Sequence, residues 1–233
     1  MRLQLDLSQF FDAMIQLRQS GQGASLQDHH LEFLNPIDRS KLSRLLLQVE
    51  RINKLKFDST KHYRTYNTKK RFDGRRGYLL GKIFEELIQV IFKDSQIFSL
   101  QSRVVTAQCE IDFFVHLIQP YSNLFELLQA HTRLHGEAKC HAVSPKSEWV
   151  NTQAGKMTSN GTRLGMIFTF NHVGAAPSQF RTAIKDHFRS QPPTEIIPWG
   201  PTLIQELLKG TPFLKLMQIQ SNLAYTGTAT LKL

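Results

Sequence analysis

Leu3, Leu7, Phe10, Phe11, Met14 and Leu17 recur at helical spacing at the start of the chain, the period of a helix with one buried face. Ser20-Gly21-Gln22-Gly23 breaks that pattern. A second helix is predicted from Pro36 to Lys54, with Leu42, Leu45, Leu46, Val49 and Ile52 on one face and Pro36 suited to a first helical turn. A third stripe, Leu80, Ile83, Phe84, Leu87, Ile88 and Ile91, predicts a helix over Tyr78–Lys93. The period then changes. Arg103–Val115 reads as two strands or one long bent strand, and Leu134–Cys140 as another. Gly165–Phe170 reads as a short apolar strand of the kind buried on both faces. Pro177–Phe188 reads as a helix, Glu195–Pro198 as a short strand and Thr202–Lys209 as a helix; alternation in Phe213–Leu233 suggests a strand or hairpin.

This order predicts an α/β fold, a central mixed β-sheet flanked by helices. It divides the chain into a helical N-terminal appendage (1–57), a main domain (58–212) and a C-terminal extension (213–233). The N-terminal helices are a candidate surface for a homodimer or a partner protein.

Charge adds a partner to this picture. The 233 residues carry a formal net charge of +10, which favours nucleic acid or an anionic membrane surface. Lys61, Arg64, Lys69, Lys70, Arg71, Arg75 and Arg76 face a single acid, Asp73, and supply more than half of that excess. Tyr63, Tyr66 and Phe72 are interleaved with them. The stretch reads either as a solvated linker or as a phosphate-contacting segment whose aromatics stack on bases. Lys69, Lys70, Arg71, Arg75 and Arg76 are its candidate nucleic-acid contacts. No adjoining amphipathic anchor accompanies the basic residues, so a membrane partner is not expected. No apolar run reaches the roughly 18 residues of a spanning helix, and Asp6 and Asp12 interrupt any secretory signal. Cys109 and Cys140 alone make neither a disulfide framework nor a zinc site. A reducing, cytoplasmic setting is expected.

The candidate chemistry lies in two strands. In Glu110-Ile111-Asp112-Phe113-Phe114-Val115, alternation puts Glu110 and Asp112 on one face and Ile111, Phe113 and Val115 on the other. In Gly136-Glu137-Ala138-Lys139-Cys140, Glu137 and Lys139 share a face, while Ala138 and Cys140 point into the core. Acids on one face of neighbouring strands suit a hard divalent cation, which binds carboxylate oxygen and assists phosphodiester hydrolysis. Asp112, Glu137 and the Ala138 backbone carbonyl would hold Mg²⁺, with Mn²⁺ substituting. Lys139 would orient or deprotonate the attacking water and favour the charge of the pentavalent state. An isolated Glu-x-Lys is more often a surface salt bridge. The surrounding order of elements is what favours a site. Neither a Walker-type loop nor a nucleophile elbow is present.

Asp112…Glu137-Ala138-Lys139 resembles the motif of the PD-(D/E)xK restriction-endonuclease-like nucleases. Gly81-Lys82-Ile83-Phe84-Glu85-Glu86-Leu87 is similar to the first helix of the Mrr-like branch. The resemblance implies Glu85 as a further metal ligand. It also implies Gln153 as a catalytic residue at the start of the helix after the lysine strand, with Lys156 one turn on. Gly165–Phe170 and Ile196-Ile197-Pro198-Trp199-Gly200 are similar to the branch's closing elements. The resemblance spans 77–210. Ile111 replaces the proline of the namesake motif, and 24 residues separate Asp112 from Glu137, so Pro120–Leu134 must form an inserted loop or short helix. If not, Glu110 substitutes for Asp112. The resemblance implies a restriction-endonuclease-like core and an Mg²⁺-dependent endodeoxyribonuclease acting on double-stranded DNA in restriction or defence. The alternatives are a junction-resolving, repair or RNA nuclease, and a non-catalytic DNA-binding subunit.

Overall fold

The computed structural model describes residues 31–58, 68–105, 110–118, 126–129, 131–140, 145–170 and 178–226. Among these are helices α1 (Arg39–Lys54), α2 (Lys69–Phe92), α3 (Glu126–Gln129), α4 (Ser147–Ser159), α5 (Ser178–Arg189), α6 (Pro201–Leu208) and α7 (Phe213–Thr226), and strands β1 (Phe98–Val105), β2 (Glu110–Leu117), β3 (Arg133–Lys139), β4 (Leu164–Thr169) and β5 (Glu195–Trp199). The strands form one mixed sheet in the order β1-β2-β3-β4-β5. The β1–β2 and β2–β3 pairs are antiparallel, whereas β3–β4 and β4–β5 are parallel.

Alternation along the strands sorts the sheet into two faces. Leu134, Met166, Phe168, Ile197 and Trp199 join the larger core with residues of α1, α2, α6 and α7. Ile167 and Ile196 point the other way, onto Val150, Ala154 and Met157 of α4 and Phe180 and Ile184 of α5. β4 is therefore buried at every position, which explains why its sequence is apolar up to Thr169. The crossovers through α4 and α5 run in the same direction along the sheet, and connections of one hand put both helices on one face.

Two expectations change. The Phe213–Leu233 tail is helical from Phe213 to Thr226; Phe213, Leu216 and Met217 are buried, at a helical spacing that the partial alternation masked. In the described part of the N-terminal region, α1 packs onto the main core. α1 buries Leu42, Leu45, Leu46 and Val49 in the same core as α2, and Arg39 Nε donates to the Leu207 carbonyl at 2.9 Å. α2 begins at Lys69, not Tyr78, so the basic residues 69–76 are the first turns of a 24-residue helix rather than a linker. Thr68 caps it by accepting from Arg71 N, and Phe72 anchors it against Phe57 at 5.7 Å. The predicted helix over Leu3–Leu17, the pair His29-His30, and Lys61, Tyr63, Arg64, Tyr66, Cys109 and His141 lie outside the described residues. The inserted segment carries the short helix α3.

Candidate active site

The β2–β3 ladder ends at the pair Phe113–Gly136. Gly136 permits this pair, because a Cβ there would stand 3.0 Å from the Phe113 Cβ. Continuing the register one step puts Asp112 across from Glu137. The next backbone N–H of β3, that of Ala138, donates to Asp112 Oδ2 at 2.8 Å. The aspartate side chain thus terminates the ladder and is held beside Glu137. Burial, then the neighbouring Glu137 charge, raises the Asp112 carboxyl above its ordinary range, against the opposing pull of the Ala138 N–H, Lys139 and Lys156. Glu110 sits two residues back, paired with Val105 at the end of β2. Asp112 stands beside Glu137.

Glu137 is buried and shared by two ammonium groups. Lys139 Nζ donates to Oε1 at 2.5 Å and Lys156 Nζ to Oε2 at 2.8 Å. Lys139 comes from the same strand face, as alternation predicts. Lys156 reaches down from α4. That helix sits close to the sheet because Gly165 has no side chain; a Cβ there would fall 2.5 Å from Met157 Sδ and 3.2 Å from Gln153 Nε2. Gln153 lies in the middle of α4, not at its start. It is buried and donates Nε2 to the His135 carbonyl at 3.2 Å, which ties α4 to β3.

Sequence reasoning missed two neighbours of this site. Lys156 was placed only by resemblance, without its partner; its spacing three residues beyond Gln153 on one helix is the available signal. His135, two residues before Glu137 on the same strand face, is fully buried against Phe114, with ring centroids 5.0 Å apart. Burial first, then the Lys156 charge, lowers its pKa to about 4. Cys140 lies on the core side as expected, and burial pushes its thiol up to about 12.

Glu85 follows the buried Phe84 on α2, which contributes to the core on the opposite face of the sheet. Phe84 packs edge-on against Phe170 at 6.3 Å, just past the end of β4, so Glu85 belongs to the same end of the molecule. Yet among the described residues no group of three or more His, Cys, Asp or Glu is gathered as a metal shell. The structure therefore brings together Asp112, Glu137 and Lys139, with Lys156 added, and leaves Glu85 outside. Glu86 is engaged by Lys41 at 2.9 Å.

The five cations of the basic stretch separate into two sets. Lys69 and Arg76 turn to Asp73, at 2.8 and 3.5 Å, and Arg76 also donates to the Leu55 carbonyl. Lys70, Arg71 and Arg75 are exposed.

Among the described residues no helix is long and apolar enough to cross a membrane. Comparison of the chain with known protein families, with characterised proteins and with solved structures finds no match.

Proposed function

We propose that this protein is a metal-dependent nuclease of the PD-(D/E)xK type that hydrolyses phosphodiester bonds in DNA, in a restriction or defence role. The observation that carries the reading is the meeting of Asp112 and Glu137 at the end of the β2–β3 ladder, with Lys139 on the same face. A helix, a three-strand antiparallel meander, a helix and a parallel strand, in that order, also accord with a restriction-endonuclease-like core.

The donors suit Mg²⁺ or Mn²⁺. Two carboxylates crowd a partly desolvated site and raise the cost of ionising Asp112, a cost that a divalent cation lowers. Asp112, Glu137 and the Ala138 carbonyl would hold the ion, with Glu85 as a further ligand only if α2 or its own side chain moves. The bound ion supplies Lewis acidity and a more acidic water. Lys139, released from Glu137, orients the attacking water and offsets charge on the phosphorus oxygens. Lys156 holds the second Glu137 oxygen. Gln153 fixes β3 to α4 and so positions the acid–lysine pair.

The test is relaxation of supercoiled plasmid with Mg²⁺, Mn²⁺ or chelator. Metal-dependent nicking that is lost in Lys139→Ala, with metal binding retained, supports the reading. Turnover by Lys139→Ala near that of the parent, or absence of any cleavage of DNA or RNA, removes it; DNA binding without cleavage points to a non-catalytic subunit.

A further inference from the structure

The outer face of α2 is a cationic stripe built around one aromatic ring. Arg71, Arg75, Tyr78 and Lys82 follow at intervals of four, three and four residues, which stacks them on one side of a helix. Phe72, Leu80, Phe84, Leu87 and Ile91 occupy the buried side. The Arg75 guanidinium lies 5.4 Å and the Lys82 ammonium 5.6 Å from the centre of the Tyr78 ring. That ring is 51% exposed, so it does not serve the core.

An ordinary solvated helix face interleaves charges of both signs at these spacings. Within the helix the residues three and four positions from Arg71 and Arg75 include no acid: Gly74 and Arg75 follow the first, and Arg71, Phe72, Tyr78 and Leu79 surround the second; Lys82, at the far end of the stripe, is followed at these spacings by Glu85 and Glu86. The two arginines therefore repel along the helix. Beside the stripe, a Cβ on Gly74 or Gly81 would find nothing within 4 Å. That flank is bare backbone, with room for a ligand to come close.

We propose that this face binds a single strand of nucleic acid, with an unpaired base stacked on Tyr78 and successive phosphates on Arg71, Arg75 and Lys82. The stripe extends about 16 Å along the helix at ~1.5 Å per residue, room for several nucleotides. Cations that follow a backbone around an exposed aromatic ring suit an unpaired strand, whose bases are free to stack; a duplex hides those faces. The assignment adds to the previous reading without resting on it.

The probe is a fluorescent 12-nucleotide oligothymidylate, titrated by anisotropy in chelator at four salt concentrations, beside oligouridylate, a duplex of equal length and phosphatidylserine vesicles. Tyr78→Ala should weaken single-strand binding roughly ten-fold and leave the salt slope unchanged, while Tyr78→Trp should restore binding. The triple variant Arg71→Ala/Arg75→Ala/Lys82→Ala should flatten the slope of log affinity against log salt by about two, at ~0.7 for each phosphate no longer neutralised. Preference for either oligonucleotide supports the site and tells DNA from RNA. Equal binding by parent and Tyr78→Ala overturns it, as does duplex binding as tight as that of the single strand, or stripe-dependent capture by vesicles. All substitutions are at exposed positions, and circular dichroism checks that α2 is intact. Plasmid cleavage is scored separately, so strand binding without cleavage removes the nuclease reading and leaves this one; cleavage with no Tyr78 dependence of binding does the reverse.

Discussion

Asp112 and His135 show how side chains in one small region pull stability against chemistry. The Asp112 carboxyl is raised by burial and by Glu137, so ionising it costs more in the folded protein than in the unfolded chain. Its contribution to stability is largest below the ordinary carboxyl value and is lost as pH rises through the raised one. At neutral pH, Asp112→Asn should therefore raise the unfolding temperature of the metal-free protein while Mn²⁺ affinity falls, as read by calorimetry. Unchanged Mn²⁺ affinity would move the ligand role to Glu110. His135 has the opposite proton balance. Its folded pKa is lowered from 6.5 to about 4, so the unfolded chain binds this proton first and stability falls as pH drops through that window. The penalty amounts to about 3 kcal/mol, at ~1.4 kcal/mol per pKa unit. His135→Leu should flatten denaturant-derived stability between those limits, and a pH dependence like the parent's would refute the assignment.

At the scale of elements, two glycines set how closely the site-bearing pieces approach. Gly165 lets α4 down onto β4, and Gly136 lets β2 close on β3. The two differ in tolerance. A methyl at residue 165 meets mainly the flexible end of Met157. A methyl at residue 136 meets the Phe113 Cβ, which cannot swing away from its own backbone. Gly136→Ala should destabilise the protein by about 1–3 kcal/mol, the usual cost of overpacking, and loosen the neighbouring hydrogen bond from Ala138 to Asp112. Urea denaturation reads the first effect, and Mn²⁺ affinity the second. Stability equal to the parent's would show that the strands part at no cost.

At the scale of the whole molecule, the core crosses the boundary that composition suggested at residue 57. α1 is joined to α2 through Leu42, Leu45, Leu46 and Val49, and to the end of α6 through Arg39. A chain beginning at residue 58 would expose the surface that α1 covers. It should unfold without cooperativity or aggregate, as followed by thermal melting and size-exclusion chromatography. A truncated chain that melts like the parent would make α1 a true appendage.

What the residues determined alone was local. Alternation placed Glu137 with Lys139 and against Cys140, because side chains in a strand take opposite faces whatever the fold. A short apolar run marked β4, and apolar spacing marked α1 and the buried half of α2. What needed the tertiary structure was everything set by distant partners. Asp112 was set beside Glu137 by the point at which the β2–β3 ladder ends. Lys156 was delivered to Glu137 by a helix whose depth depends on Gly165. Gln153 was brought onto the His135 carbonyl by the same close approach of α4 to the sheet. α2 extends through Gly74 and Gly77 because Thr68 caps it and Phe72 finds Phe57, interactions that outweigh weak helix propensity and have no periodic signal. Strand faces and helix stripes follow from geometry between near neighbours in the chain; pairing, depth and charge environment follow from packing between residues far apart, so only the folded molecule decides them.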